Sequence, residues 1–274
     1  MSQTDTAQET AHADTRSMEP VFRIDGTDVI TSVNAAGPWD PTMQHGSAPS
    51  ALVTWAAERI PTPTPMAITR MTIDLMRPVP VAPLTFETDV LREGRKIQLS
   101  MVRLRANGTE VARATVLKTR TDTLPLPDGE FESALDLPGP EDSRPIIGLG
   151  SSSFVSGMSI RAARGDFGEP GPGAIWFRAD RPIIAGEAIS QAMRAVVASD
   201  FSNGTGAALD FHEWTYLNAD LTVSLSREPV GEWILLDAHS WIGPDGAGLA
   251  MSRLGDVRGY FGRAIQSLVV EKRR

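Results

Sequence analysis

One side chain stands where acid–base chemistry would need it, Asp200 at the end of an apolar helical stretch, and a carboxamide, Gln266, lies inside an apolar strand-like run. Ile189, Met193 and Val196 recur at helical spacing on one stripe, and Asp200 falls on its continuation at the C-terminal end. A carboxylate there meets the negative end of the helix dipole and points along an apolar face, two terms that disfavour its ionised form. Strain of this kind marks a candidate general base, while the plainer reading is that Asp200 opens an Asx turn in Asp-Phe-Ser-Asn-Gly. Gln266 lies in Ala264-Ile-Gln-Ser-Leu-Val-Val270. A buried amide without partners costs roughly 1–3 kcal/mol, so Gln266 is either satisfied structurally or aimed into a wet pocket. Asn218 and Thr222 share the polar parity of a strand whose apolar parity carries Leu221 and Val223, a pattern that suits either a solvated face or a functional one. Upstream, Trp39-Asp-Pro-Thr-Met-Gln-His-Gly46 runs into a second helical stretch and leaves free backbone N–H groups near Gly46 and Ser47. Those donors suit an oxyanion, or ordinary capping; His45 taken alone reads as structural.

Other chemistries find no support. With zero cysteines there is no disulfide, thiolate metal site or thiol nucleophile, which fits a cytoplasmic protein. The histidines, His12, His45, His212 and His239, form no i,i+4 pair, so no metal is expected. No Gly-x-Ser-x-Gly elbow, Walker lysine loop, His-Glu-x-x-His or complete dinucleotide fingerprint occurs, so no cofactor is expected either. A net charge of -8 gives no long-range attraction for nucleic acid, and no apolar run approaches the roughly 18 residues of a membrane span. Arg92, Arg95, Lys96, Arg103 and Arg105 form a basic cluster that is either a solvated sheet face or a phosphate contact.

The elements that must position these residues repeat. Sliding the 274-residue chain along itself by about 150 positions lays Met71-Thr-Ile-Asp-Leu-Met-Arg77 over Leu221-Thr-Val-Ser-Leu-Ser-Arg227, and Leu99, Met101, Arg103 and Leu104 over Leu249, Met251, Arg253 and Leu254. Each half reads as a strand-like stretch (Val21 to Ser32, Ala174 to Ala179), an apolar helix (Ser47 to Ile60, Ile183 to Ser199) and an alternating meander, with Asn107-Gly108 as hairpin chemistry. One helix beside an antiparallel sheet buries its stripe only by lying on a sheet face, which gives an α+β unit, and two units can join edges. The expected division is a flexible tail over 1–20, a first unit over 21–123, a Pro/Gly-rich linker over 124–144 and a second unit over 145–274. Trp176, Trp214, Trp233 and Trp241 are expected in the core or an interface. Sheet edges and tryptophan-rich faces that need covering point to a homo-oligomer.

Gly37-Pro-Trp-Asp-Pro-Thr-Met-Gln-His-Gly46, Asp74-Leu-Met-Arg-Pro-Val79, Ala198-Ser-Asp-Phe-Ser-Asn-Gly204, Asn218-Ala-Asp-Leu-Thr-Val223, Arg227-Glu-Pro-Val-Gly-Glu-Trp233 and the run from Gly259 to Gln266 together resemble the TesB-like acyl-CoA thioesterases of the acyl-CoA thioesterase II type, over about residues 20–272. The resemblance implies a double hotdog fold, hydrolysis of an acyl-CoA thioester by water, a catalytic aspartate at Asp200 and a glutamine at Gln266. The family's Thr or Ser falls on Asn218, where this chain departs, and Thr222 is the candidate substitute. The glycine pair that opens the family's first helix reads Gly46-Ser47. The mechanism this implies has Asp200, with Gln266 and Asn218, orient and deprotonate a water, while amides at the first helix hold the oxyanion. Two alternatives are a non-catalytic acyl or acyl-CoA binding double hotdog and a hotdog hydratase; the chain lacks a Gly-Asp-x-Asn-Pro-x-His run for the latter.

Overall fold

The computed structural model describes residues 18–127, 134–149 and 153–273. The expected tail therefore lies outside the described residues apart from Met18, Glu19 and Pro20. The first half supplies strands β1 (Phe22–Asp25), β2 (Asp28–Thr31), β3 (Met66–Asp74), β4 (Leu84–Glu93), β5 (Ile97–Ala106) and β6 (Thr109–Arg120), and helix α1 (Ser47–Glu58). The second supplies β7 (Arg144–Pro145), β8 (Met158–Arg164), β9 (Gly173–Ala179), β10 (Trp214–Asn218), β11 (Asp220–Leu225), β12 (Ile234–Ile242), β13 (Ala247–Asp256) and β14 (Gly259–Lys272), with α2 (Gln191–Ser199) and the short α3 (Ser202–Thr205).

All these strands form one antiparallel sheet in the order β1-β2-β4-β5-β6-β3-β11-β14-β13-β12-β9-β8-β7, with β10 pairing β14. The two halves meet edge to edge at β3 and β11, where Thr72 lies opposite Thr222. Those threonines are 150 positions apart, the period of the repeat, so the seam is a local twofold axis and the hydroxyls bond across it at 3.1 Å. The bounds of β5 and β13 keep the same offset. Along β14 the side chains of Ala264, Gln266, Leu268 and Val270 point inward and those of Ile265, Ser267 and Val269 outward, the alternation a sheet covered on one face requires. Asn107 (φ 49°) and Gly108 (φ 76°) both occupy the left-handed region, the geometry of the two-residue hairpin between β5 and β6.

The concave face wraps both helices. α1 is built from Ala, Ser and Thr with Leu52, Val53 and Trp55, and every residue from Ser47 to Ala57 is buried. Pro49 sits in its first turn, where no N–H is needed. Small residues let α1 lie directly against α2, and one core cluster draws from both helices and both halves.

Three expectations need correction. The second helix is Gln191–Ser199 rather than Ile183 to Ser199: Ser190 caps it, its hydroxyl accepting from Met193 N at 3.1 Å. Upstream, Ile183 and Ile184 are drawn into extended pairing with Phe22, which competes with helix for the same backbone groups. The stretch from Val21 to Ser32 is a hairpin, β1 and β2, turned at Gly26 (φ 62°). Trp176 and Trp233 are buried beneath Leu135 and Leu137 of the connecting segment, with Trp176 Nε1 bonded to Pro138 O, whereas Trp241 is half exposed.

The meander of the second half is locked at one corner by Asp256, fully buried at the end of β13. Arg227 donates to both carboxylate oxygens, and Val230 N and Arg258 N donate at 2.7 and 2.8 Å. Burial alone would raise the Asp256 pKa; the Arg227 guanidinium and the two amides outweigh it and hold it below the usual carboxylate range. Its contribution to stability is therefore present above the pH at which an unfolded aspartate titrates, about 4, and is lost as pH falls through the lower folded value. Asp256→Ala should destabilise the fold by roughly 3–5 kcal/mol, because it removes the buried acceptor shared by the Arg227 guanidinium and two backbone amides. Urea unfolding at neutral pH measures the loss, and the same titration below pH 4 should show a smaller gap from the parent.

Candidate active site

Asp200 closes α2 as its C-cap and is 5% exposed. The carboxylate is not left facing apolar neighbours. Oδ1 accepts from Asn218 Nδ2 at 3.0 Å and Gln266 Nε2 at 3.3 Å, while Oδ2 lies 3.0 Å from His45 Nδ1 and 3.3 Å from Ser47 Oγ. Donors thus replace the water lost on burial, and they come from both halves of the chain. A single turn separates Asp200 from α3, and Gln266 holds that turn: its Nε2 also donates to Asp200 O at 3.1 Å, and its Oε1 accepts from Asn203 N at 3.1 Å.

α1 points its N-terminus at this carboxylate. The segment before it is pinned by Gln44 N to Val79 O (2.7 Å) and His45 N to Ala35 O (2.8 Å), which fixes where the helix begins. A Cβ placed on Gly46 would lie 2.7 Å from each oxygen of Asp200, so only glycine allows the approach. The neighbouring Ser47 is fully buried and donates its hydroxyl to Val197 O at 2.9 Å, tying α1 to α2. Its hydroxyl hydrogen is thereby committed, and the Ser47–Asp200 contact is the weaker of the two. Among the described residues Gly46 N–H has no acceptor.

These groups lie against a cavity of about 980 Å³ between the halves, at the upper end of the roughly 300–1,000 Å³ typical of small-molecule sites. Gly46, His45, Asp200 and Asn218 line it. Its wall also carries Trp39, Phe211 and Tyr216, with Trp39 and Phe211 ring centroids 4.8 Å apart. The Tyr216 hydroxyl is buried without a partner among the described residues. Burial, opposed by Arg273 and reinforced by Asp210, pushes its pKa up to about 12, so this wall is an uncharged phenol.

The sequence-predicted residues thus divide. Asp200, Asn218 and Gly46 meet at the cavity, and Gln266 and Ser47 touch the same carboxylate from behind it: Gln266 is fully buried and holds Asp200 in place rather than facing the cavity. Thr222 does not join them. Its side chain is committed to Thr72 at the seam, in register with outward-facing Ile265, on the sheet face away from Gln266. The basic cluster lies apart from the cavity, with Arg103 and Arg105 paired to Asp89, Glu87 and Glu110 on the outer surface. His45 is the residue sequence reasoning undervalued; its one signal was adjacency to Gly46. Among the described residues no cluster of His, Asp and Glu could hold a metal ion, and no helix is long and apolar enough to cross a membrane.

The chain aligns with solved structures over nearly its whole length. A hot dog fold protein of unknown function from Alicyclobacillus acidocaldarius shares 14% identity at a TM-score of 0.72, covering 92% of this chain and 96% of its own. The tesB protein of Mycobacterium avium subs paratuberculosis shares 16% at 0.66, over 91% and 95%. An acyl-CoA thioesterase II from Mycobacterium marinum shares 13% at 0.62, over 93% and 95%. At these identities the likeness establishes the fold, a double hotdog. No curated protein sequence matches the chain. Residues 35–119 match the acyl-CoA thioesterase N-terminal domain and residues 121–270 the acyl-CoA thioesterase C-terminal domain, so this chain belongs to the acyl-CoA thioesterase family and is a thioester hydrolase.

Proposed function

We propose that the chain hydrolyses fatty acyl-CoA to free acid and CoA by direct attack of a water activated at Asp200. The observation that carries this reading is the Asp200 carboxylate, held by Asn218 and Gln266 and set against Gly46 at the wall of a large aromatic-lined cavity. At about 980 Å³ the cavity has room for an acyl chain, and its interior suits one: Pro49, Val79, Phe167 and Phe201 share the wall with the three aromatic rings named above.

Each polar group then has a task. Asp200 supplies the negative charge on which water activation depends. Asn218 donates to Oδ1 through Nδ2, which leaves its carbonyl oxygen without a partner among the described residues, free to hold a water at the cavity wall. Gln266 fixes Asp200 from behind. The Gly46 N–H, at the positive end of α1, is the donor available for the charge that develops on the thioester oxygen. Water reacts directly with the carbonyl carbon, so no acyl-enzyme forms. The glycine pair of related chains is half replaced here, and Ser47 uses its hydroxyl to bind α2 rather than the substrate.

Asp200→Asn should lower acyl-CoA turnover by roughly 10²–10⁴-fold with unfolding unchanged. A thiol-release assay over a panel of acyl-CoAs measures it; tight acyl-CoA binding with no thiol release in the parent chain would instead identify a binding protein. Gly46→Ala places a methyl group against both carboxylate oxygens. A displacement on the order of 1 Å costs about 10²-fold in rate, so kcat should drop by that order while far-UV circular dichroism stays unchanged.

A further inference from the structure

We propose that His45, oriented by Asp200, is the group that takes the proton from the attacking water, so that the carboxylate acts through the imidazole. This rests on the thioesterase reading and adds the identity of the base. His45 Nδ1 lies 3.0 Å from Asp200 Oδ2. Two acceptors at that distance would repel, so the hydrogen sits on Nδ1 and the lone pair on Nε2. Ser47 N lies 3.2 Å from the same nitrogen, a close approach that sets the ring against the start of α1.

The ring is held in this orientation. Phe154 stacks on it with centroids 5.0 Å apart and planes 14° from parallel, and Phe201 lies 4.6 Å away at 32°. Both phenylalanines are buried, so the imidazole has one plane available to it. His45 lines the cavity, and Nε2 has no hydrogen-bond partner among the described residues. The carboxylate is less available. Its Oδ1 already accepts from two carboxamides, its Oδ2 faces Nδ1, and the Gly46 backbone packs against both oxygens. Of the two titratable groups, the imidazole is the one with an unoccupied acceptor.

The step balances as follows. The water oxygen bonds to the thioester carbon as its proton passes to His45 Nε2, giving an imidazolium beside the Asp200 anion, and the carbonyl electron pair moves to oxygen. When that pair returns, the C–S bond breaks, its electrons go to sulfur, and the proton on Nε2 passes to the thiolate. The products are the acid and the thiol, and His45 is again neutral. The charged group packed directly against the ring is Asp200; the remaining titratable groups on the cavity wall are Asp40, Arg77, Glu169, Asp210, His212 and Tyr216.

The test uses the full chain with octanoyl-CoA and thiol detection. His45→Asn retains an amide donor toward Asp200 but has no atom in place of Nε2. It should lose roughly 10²–10⁴-fold in kcat, with KM near the parent value. It should also lose the acid limb of the kcat/KM profile that a basic imidazole imposes. His45→Ala should regain part of its rate when free imidazole is added, a response that a merely structural histidine would not give. If His45→Asn keeps turnover within about threefold and the acid limb persists, the inference is overturned; Asp200→Asn then decides whether the carboxylate is itself the base or the whole site is wrong.

Discussion

A buried carboxylate pressed onto the backbone of another helix is the contact around which this protein is organised. Asp200 has lost its water, and an ionised group in such a place persists only where donors replace the water. They are drawn from three separate stretches of chain: His45 in the segment entering α1, Asn218 on β10 and Gln266 on β14. The two halves must therefore be joined, α1 must begin at Gly46, and β14 must carry its amide inward, or the carboxylate is unsupported. The large sheet, the small-residue helices and the glycine at position 46 can all be read as consequences of that one requirement.

The local twofold axis at the seam makes the asymmetry of the site informative. The opposite end of the helix pair repeats the arrangement in outline: Glu58 closes α1 next to Ser190, the cap of α2. Yet the details differ. Val116 stands 150 positions before Gln266, so no carboxamide comes from β6. Lys118 is buried there instead and donates to Ile60 O at 2.8 Å. Burial pushes Glu58 up and Lys118 down, and the adjoining pocket holds only about 230 Å³. Duplication kept the strands, which the shared core demands, and let the polar groups at one end diverge into structural ones.

His45 shows how a site gains a member through packing alone. Its neighbours in sequence hold the chain before α1 in position, but its chemistry comes from Phe154, Phe201 and Asp200, more than a hundred residues away. Ser47 is the converse: it occupies a position that the resemblance assigns to a glycine, and the fold absorbs it by turning its hydroxyl toward Val197. Asn218, where the resemblance expects a Thr or Ser, fits in a similar way, because its amide reaches Oδ1 directly.

Sequence by itself determined the repeat, the meander of each half, the hairpin at Asn107-Gly108 and the placing of Asp200 at a helix end, because period-two alternation, turn chemistry and helical stripes are local and survive in the order of residues. It also gave the residue types of the site. It could not decide that Ile183 and Ile184 would pair with Phe22 instead of joining the helix, since that strand lies far away in the chain. It placed Thr222 with Asn218, whose strand breaks between β10 and β11 and leaves the two with different partners. Tertiary structure alone decided that Gln266 is satisfied from behind, that Gly46 touches the carboxylate, and that a histidine stands 3.0 Å from Asp200. Those are distances between segments that meet only when two helices pack against one shared sheet, and no local pattern encodes them.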